Sequence, residues 1–298
     1  MKTYFACSDI HGFYDEMMDA LTQSGYQKDN PEHILIVCGD VFDRGDKPYE
    51  VYRFLRDLPP KRKVLVRGNH EDLLIELLDR GYGLSRDLHN GTLRTLEQLC
   101  PGYEAKMRKM NLEYHDAHGD PAALQAWREE YAKLDRLIYH NKRIDAVRKW
   151  IESDEWVDYY ELGRFIFVHA FIPLFTWNDS HMYDPYWRLG TSEEGWKLCR
   201  WGCPPDLYRK GLFEEEEKKG KVLVVGHWHT SDFYNLLDYR NKPSQHLPLE
   251  NNPIYRSARY PGLIGLDAMT ALTHKVNVLV IKEEEIDAKP RSFSPDRN

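Results

Sequence analysis

The sequence predicts an α/β fold, and three observations carry that expectation. A unit of apolar strand, polar loop and amphipathic helix is used three times within the first 80 residues. Its strands are continuous apolar runs, the pattern of strands buried on both faces in a parallel sheet. Further short apolar runs return after residue 156, each ending in a polar residue.

Taken in order, Lys2 to Cys7 reads as a strand that ends at Ser8-Asp9-Ile10-His11-Gly12. Phe13 to Ser24 reads as a helix, with Phe13, Met17 and Leu21 on one stripe. Ile34 to Cys38 is a second strand, ending at Gly39-Asp40. Residues 47 to 58 form a helix that Pro59-Pro60 stops. Lys63 to Val66 is a third strand, ending at Gly68-Asn69-His70-Glu71, and Leu73, Leu74, Leu77 and Leu78 continue as a helix. Residues 84 to 156 lack strong strand signals and read as a helical insertion or cap within a single domain of residues 1–298. Leu124, Trp127, Tyr131, Leu134 and Ile138 mark one helix from about 121 to 150, started by Asp120 as cap and Pro121 at the first helical position. Strands resume at Val157 to Leu162 and Arg164 to Val168, the second ending at His169. Residues 171 to 219 read as irregular. Lys221 to Val225 is a strand ending at Gly226-His227-Trp228-His229, Leu263 to Leu266 ends at Asp267, and Val276 to Lys282 is the last strand. The tail from about Asp287 is polar and reads as loose.

Bulk properties narrow the function. The 298 residues carry a formal net charge of −7 and no long basic run, which argues against a stable nucleic-acid partner. No stretch reaches the roughly 18 apolar residues of a membrane span. Five cysteines at irregular spacing read as free thiols in a reducing compartment, with Cys7 and Cys38 buried. Cys199 and Cys203 have the spacing of a metal half-site, but no second pair completes it. The start of the chain offers no room for a signal peptide before Asp9, so the expected location is cytoplasmic. The sequence leaves the oligomeric state open.

The informative pattern is positional. Asp9 and His11, Asp40, Asn69 and His70, His169, then His227 and His229 each follow an apolar strand. Open α/β sheets gather such strand ends at one edge, where ligands bind. Carboxylate, amide oxygen and imidazole suit divalent ions such as Mn, Fe, Zn, Co or Ni. Two metals about 4 Å apart need a shared ligand and can lower the pKa of a water between them while holding phosphoryl oxygens. Asp40, central in the series, is the expected bridge. Arg44 offers a planar fork to a phosphate oxygen. His70 is placed to protonate a leaving oxygen, with Asp43 orienting its other nitrogen. Glu71 reads as a helix-start carboxylate.

These residues resemble the calcineurin-like metallophosphoesterase superfamily, near its serine/threonine protein phosphatase and symmetrical diadenosine tetraphosphatase branch. The resemblance rests on Asp9-Ile10-His11, Gly39-Asp40-Val41-Phe42-Asp43-Arg44-Gly45, Gly68-Asn69-His70-Glu71, His169 and Gly226-His227, and it spans about 1–80 and 157–282. It implies a four-layer α/β/β/α sandwich of two mixed sheets with helices outside. It also implies that Asp9, His11 and Asp40 hold one metal, and that Asp40, Asn69, His169 and His227 hold the other. Asp43 and His70 would form the acid pair, with Arg44 as phosphate clamp. The second histidine of Gly226-His227-Trp228-His229 makes His229 a further candidate ligand. The branch expects a second phosphate-binding arginine before the last histidine; Arg188 and Arg200 both qualify, and Arg200 is preferred. The implied activity is hydrolysis of a phosphomonoester, including phosphoserine or phosphothreonine in protein. The alternatives are cleavage of a dinucleotide polyphosphate or a phosphodiester. Phosphate binding without catalysis is the least favoured reading.

Overall fold

The protein is described here by a computed structural model covering residues 1–116, 120–178 and 180–287. The loop at 117–119, expected to start a helix, and the tail beyond 287 lie outside the described residues.

The strands are β1 Thr3–Cys7, β2 His33–Cys38, β3 Lys63–Val66, β4 Trp156–Val157, β5 Tyr160–Leu162, β6 Phe165–Phe167, β7 Leu174–Trp177, β8 Ser180–Tyr183, β9 Val222–Val225, β10 Tyr255–Arg256, β11 Leu263–Gly265 and β12 Leu279–Lys282. They form two five-stranded sheets, in the orders β12-β1-β2-β3-β4 and β10-β11-β9-β6-β5, plus the hairpin β7-β8. Within the first sheet β1 to β4 run parallel and β12 is antiparallel. Within the second, β11, β9 and β6 are parallel and the two edge strands antiparallel.

Strand alternation explains why the central strands of both sheets are apolar on both faces. Tyr4, Ala6, Ile34, Ile36, Cys38 and Val66 face one way and meet Phe165, Phe167, Val222, Val224 and Ile264 of the other sheet. Their neighbours Phe5, Cys7, Leu35, Val37 and Leu65 face outward onto helices. On the second sheet Ile166, Val168, Leu223, Val225 and Leu263 do the same on the opposite side. The result is the four-layer α/β/β/α arrangement. Each large side chain buried this way contributes about 1.5–3 kcal/mol.

The helices that cover the first sheet are α1 Tyr14–Gln23, α2 Pro48–Asp57, α3 Asn69–Arg80, α4 Ser85–Asn90, α5 Thr92–Leu99, α6 Tyr103–Asp116, α7 Pro121–Tyr139 and α8 Lys142–Ile151. Leu93, Leu96, Leu99, Ile144, Val147 and Trp150 share one buried cluster with Leu55, Leu74 and Leu77, so the 84–156 segment extends the core of the first sheet. The single helix expected from 121 to 150 is two. Asp120 caps α7, its side chain accepting from Ala122 N–H at 2.9 Å. The break comes at His140-Asn141, where the Asn141 side chain accepts from Arg143 and Ile144 N–H and starts α8. The strand expected at 157–162 also divides: β4 pairs with β3, and β5 pairs with β6 in the other sheet. The stretch expected to be irregular holds the β7-β8 hairpin and short helices, among them Trp187–Gly190, Glu193–Cys199 and Pro204–Arg209. All five cysteines are free thiols. No described helix is long and apolar enough to cross a membrane.

Candidate metal centre

The polar residues singled out by sequence follow the carboxyl ends of parallel strands from both sheets: Asp9 after β1, Asp40 after β2, Asn69 after β3, His169 after β6 and His227 after β9. The loops that carry them are stitched together. His11 N–H donates to Asp40 O at 2.9 Å, and Gly226 N–H to His169 O at 2.8 Å. Close approach of main chains requires glycine here. A Cβ on Gly68 would stand 2.3 Å from Asp40 Oδ1, and one on Gly226 would stand 2.1 Å from Asp9 Oδ2.

The backbone is strained where the chemistry sits. Among the described residues, non-glycine residues with positive φ include Asp9, His11, Asp40, Asp43, Arg44 and His227, with values from 51° to 74°. Such conformations cost about 1–3 kcal/mol each and persist only when surrounding contacts enforce them.

Two groups of buried donors result. His11, Asp40 and His70 each bring a ligand-capable atom within 4.8 Å of the others, and so do Asp40, His169 and His227. Asp40 belongs to both. Asn69 joins the second group, its Oδ1 lying 2.7 Å from His169 Nε2. His227 Nδ1 is 3.2 Å and Asp40 Oδ1 3.4 Å from that same nitrogen. Asp9 stands just outside, its carboxylate accepting His227 N–H at 3.0 Å.

The arrangement fits divalent metal ions on two counts. His169 Nδ1–H donates to Cys38 O at 2.8 Å and His11 Nδ1–H to Phe42 O at 2.9 Å. Both rings thereby turn Nε2 inward, as a ligating histidine does when a carbonyl fixes its tautomer. Electron-rich atoms also converge, and protein cations balance them: burial would lower His169, but Asp40 and Asp9 outweigh it and raise the ring to about 10. Burial and the neighbouring Asp267 push the Asp9 carboxyl well above the usual range. Burial, Arg44 and His70 hold His11 well below the ordinary histidine value, and burial with His169 takes His227 down to about 3. Both rings are therefore held in the neutral form, the one that can ligate a metal. Burial would raise Asp40, but His169, His70 and His11 outweigh it and hold its carboxylate well below the usual range.

The structure brings His70 and Asp43 together. His70 Nδ1–H donates to Asp43 Oδ2 at 2.6 Å, with both side chains buried. Burial pulls the imidazolium down, but Asp40 and Asp43 outweigh it and raise His70 above its ordinary value. Arg44 lies across the opening, donating from Nη1 to His11 Nε2 at 2.9 Å, with Nη2 at 3.3 Å from His70 Nε2.

Other expectations need revision. Arg200 is buried and held by Asp72 at 2.6 Å and by Asp158, so it is a strut beneath α3 and not a free clamp. Arg188 is consumed by Glu161 and Glu216 and stacks on Trp187. His229 joins neither ligand group; its nearest carboxylates are Asp232 at 3.7 Å and Asp267 at 4.0 Å. Glu71 does more than start a helix. Fully buried, it accepts N–H bonds from Asp40 at 3.0 Å, Val41 at 2.9 Å and Gly68 at 2.8 Å, and so anchors the loop that carries Asp40. Sequence reading also passed over Trp201. It is 51% exposed, with its ring 6.0 Å from that of His227 at 90°.

Comparison with known proteins gives the family. The chain is 42% identical over 82 residues to the asymmetrical bis(5'-nucleosyl)-tetraphosphatase PrpE of Bacillus subtilis (strain 168), which covers 25% of this chain and 34% of that protein. It is 31% identical over 103 residues to the human serine/threonine-protein phosphatase with EF-hands 2, covering 31% of this chain and 13% of that one. The aligned stretches thus span about a third or less of these relatives. Among solved structures, the cold-active protein-tyrosine phosphatase of a psychrophile Shewanella sp. aligns with a TM-score of 0.48 at 13% identity, covering 95% of this chain and 76% of that one. The model of the calcineurin-like phosphoesterase family matches residues 3–241, most of the chain, and the protein belongs to that family.

Proposed function

We propose that this chain hydrolyses a phosphomonoester whose leaving group is a poor one, such as an alkyl alcohol or the hydroxyl of serine or threonine. The observation that carries this reading is the buried His70–Asp43 pair at 2.6 Å beside the shared ligand Asp40. An alkoxide needs a proton as it leaves, whereas a phosphate leaving from an anhydride does not. A buried imidazole whose protonated form is favoured by Asp40 and Asp43, set against the ligand cluster, suits the first kind of substrate.

Asp9, His11 and Asp40 would hold one ion, and Asp40, Asn69, His169 and His227 the other. When bound, such a pair supplies a water activated for attack and neutralises the phosphoryl oxygens. The chain's own residues do the rest. Arg44, at the opening, binds a non-bridging phosphate oxygen through its planar fork. His70 delivers the proton from Nε2 to the leaving oxygen. Asp43 fixes the ring and stabilises its charge. Glu71 holds the Asp40 loop so that the shared carboxylate does not drift.

A second reading is cleavage of a dinucleoside polyphosphate. Trp201, half exposed against His227, offers an apolar face on which a nucleobase can stack. The tetraphosphatase relatives support the same reading.

A metal-supplemented comparison of phosphopeptides, alkyl phosphates, a diester and diadenosine tetraphosphate distinguishes the two. The first reading expects the highest kcat/KM on monoesters. Preference for the tetraphosphate, lost on Trp201→Ala, would replace it with the second. Failure on every phosphoester would remove both.

A further inference from the structure

The helical segment outside the motif blocks reaches the acid pair at one place. Gly91, with φ of +85°, leads directly into α5. A Cβ on Gly91 would stand 2.6 Å from the backbone nitrogen of Arg44, so helix and loop meet main chain to main chain. From the first turn of α5 two hydroxyls converge on one carboxylate. Thr92 Oγ1 donates to Asp43 Oδ2 and Thr95 Oγ1 to Asp43 Oδ1, each at 2.8 Å. Thr95 Oγ1 also accepts the Asp43 N–H at 2.8 Å. Asp43 Oδ2 is the same oxygen that receives His70 Nδ1–H. Thr92, Thr95 and Asp43 are all fully buried.

This is more than is needed to fill space. Two valines would pack equally well there, and a buried carboxylate that faced only His70 would be free to rotate about its last torsion. With one hydroxyl on each oxygen, the carboxylate plane is fixed. Oδ2 then stays in line with His70 Nδ1, and the ring keeps Nε2 aimed at the site. The Thr95–Asp43 backbone bond also helps enforce the left-handed conformations of Asp43 and Arg44, at φ of 74° and 63°.

We infer that Thr92 and Thr95 are positioning residues for proton delivery, acting through Asp43 on His70, and that the helical segment is thereby built into the catalytic acid. The inference rests on the reading of His70 as the proton donor. Its rival is a purely structural clamp tying α5 to the loop.

Leaving-group dependence separates the two. An alkyl phosphate needs the proton, while 4-nitrophenolate leaves without one. In the metal-loaded enzyme, Thr92→Val with Thr95→Val should lose at least about tenfold in kcat on an alkyl phosphate, a part of the roughly 100- to 10,000-fold that positioned acid catalysis is worth. On 4-nitrophenyl phosphate the loss should stay within about threefold, with KM little changed on both. Thr92→Ser with Thr95→Ser, which keeps both hydroxyls, should restore kcat to within about twofold. His70→Ala serves as reference and should separate the two substrates more strongly. Equal losses on both substrates, unchanged kcat on both, or no rescue by serine would overturn the inference while the acid reading stands. If His70→Ala itself treats both substrates alike, the acid reading falls first. Should the double valine variant not fold, Thr92→Val alone against Thr92→Ser carries the same test, since it removes a single hydroxyl and leaves the backbone bond to Thr95 intact.

Discussion

Glu71→Gln is the substitution whose cost can be worked most directly from the structure. The carboxylate takes three main-chain N–H bonds, two on Oε2 from Asp40 and Gly68 and one on Oε1 from Val41. An amide can turn its oxygen toward the pair of donors, but its NH2 then faces the Val41 N–H. One charge-assisted bond becomes a donor–donor clash, and the other two lose their charge. Bonds to a charged group contribute about 1.5–3 kcal/mol each, so the gross loss is about 3–4 kcal/mol. Against this, burial and the nearby Asp40 already push the Glu71 carboxyl above its usual range, and a neutral amide relieves both. The relief offsets part of the loss, leaving a net destabilisation of about 1–3 kcal/mol. For a large chain each kcal/mol lowers Tm by about 2–4 °C, which predicts a fall of about 2–12 °C. Thermal unfolding of wild type and variant in one buffer checks it. A Tm within 1 °C of wild type, or above it, would refute the reasoning, because relief of repulsion would then equal or exceed the value of the three bonds.

Gly226→Ala places a Cβ 2.1 Å from Asp9 Oδ2 and close to Ser8, so the carboxylate has to move. Metal affinity measured by competition with a chelator should fall about 10–100-fold, the range found when groups supporting a ligand are lost; unchanged affinity would show that Asp9 has room to shift without cost. Glu216 is fully buried and meets Arg188, Tyr183 and Lys219. Burial would raise its carboxyl, but Arg188, Tyr183 and Lys219 outweigh it and hold it well below the usual range. A depressed acid contributes stability that is present above its unfolded value of about 4.3 and lost as pH falls toward the folded one. Glu216→Gln should therefore be less stable than wild type at pH 7, with the gap narrowing below about pH 4. Urea unfolding from pH 7 to pH 3 reads this, and a gap that is constant with pH would contradict the assignment.

The fold class and the residues that gather at the candidate site were both legible in sequence, the finer divisions of the chain less so. A ligand residue at a strand end leaves a local mark: an apolar run stops, a glycine follows, and a hard donor stands next to it. Gly39-Asp40 and Gly226-His227 show that mark, and the structure explains the glycines by close approach. The division of the strands between two sheets left no such local mark and was expected only through the family resemblance. A strand covered by helices on one face and by a sheet on the other is apolar at every position, as Leu35 and Ile36 show, and its sequence does not say which cover is which. The crossing of the chain between sheets at 157–160 was hidden for the same reason. The helix break at His140-Asn141 falls between Ile138 and Ile144, where the apolar stripe lapses for one turn and Asn141 offers a cap. A free and a paired arginine look alike in sequence, and the Asp72 and Asp158 that hold Arg200 are 128 and 42 residues away. Thr92 and Thr95 sit at the start of an ordinary amphipathic helix, and their meeting with Asp43 depends wholly on tertiary packing.

The central claim is that Asp40 is shared by two metal ions. The most direct test is metal content per chain after dialysis against limiting metal, for wild type and Asp40→Asn side by side with activity. The account predicts about two ions per wild-type chain and activity that tracks occupancy. It predicts that Asp40→Asn weakens both sites together. An Asp40→Asn chain that keeps two ions at unchanged affinity, or loses only one, would contradict it.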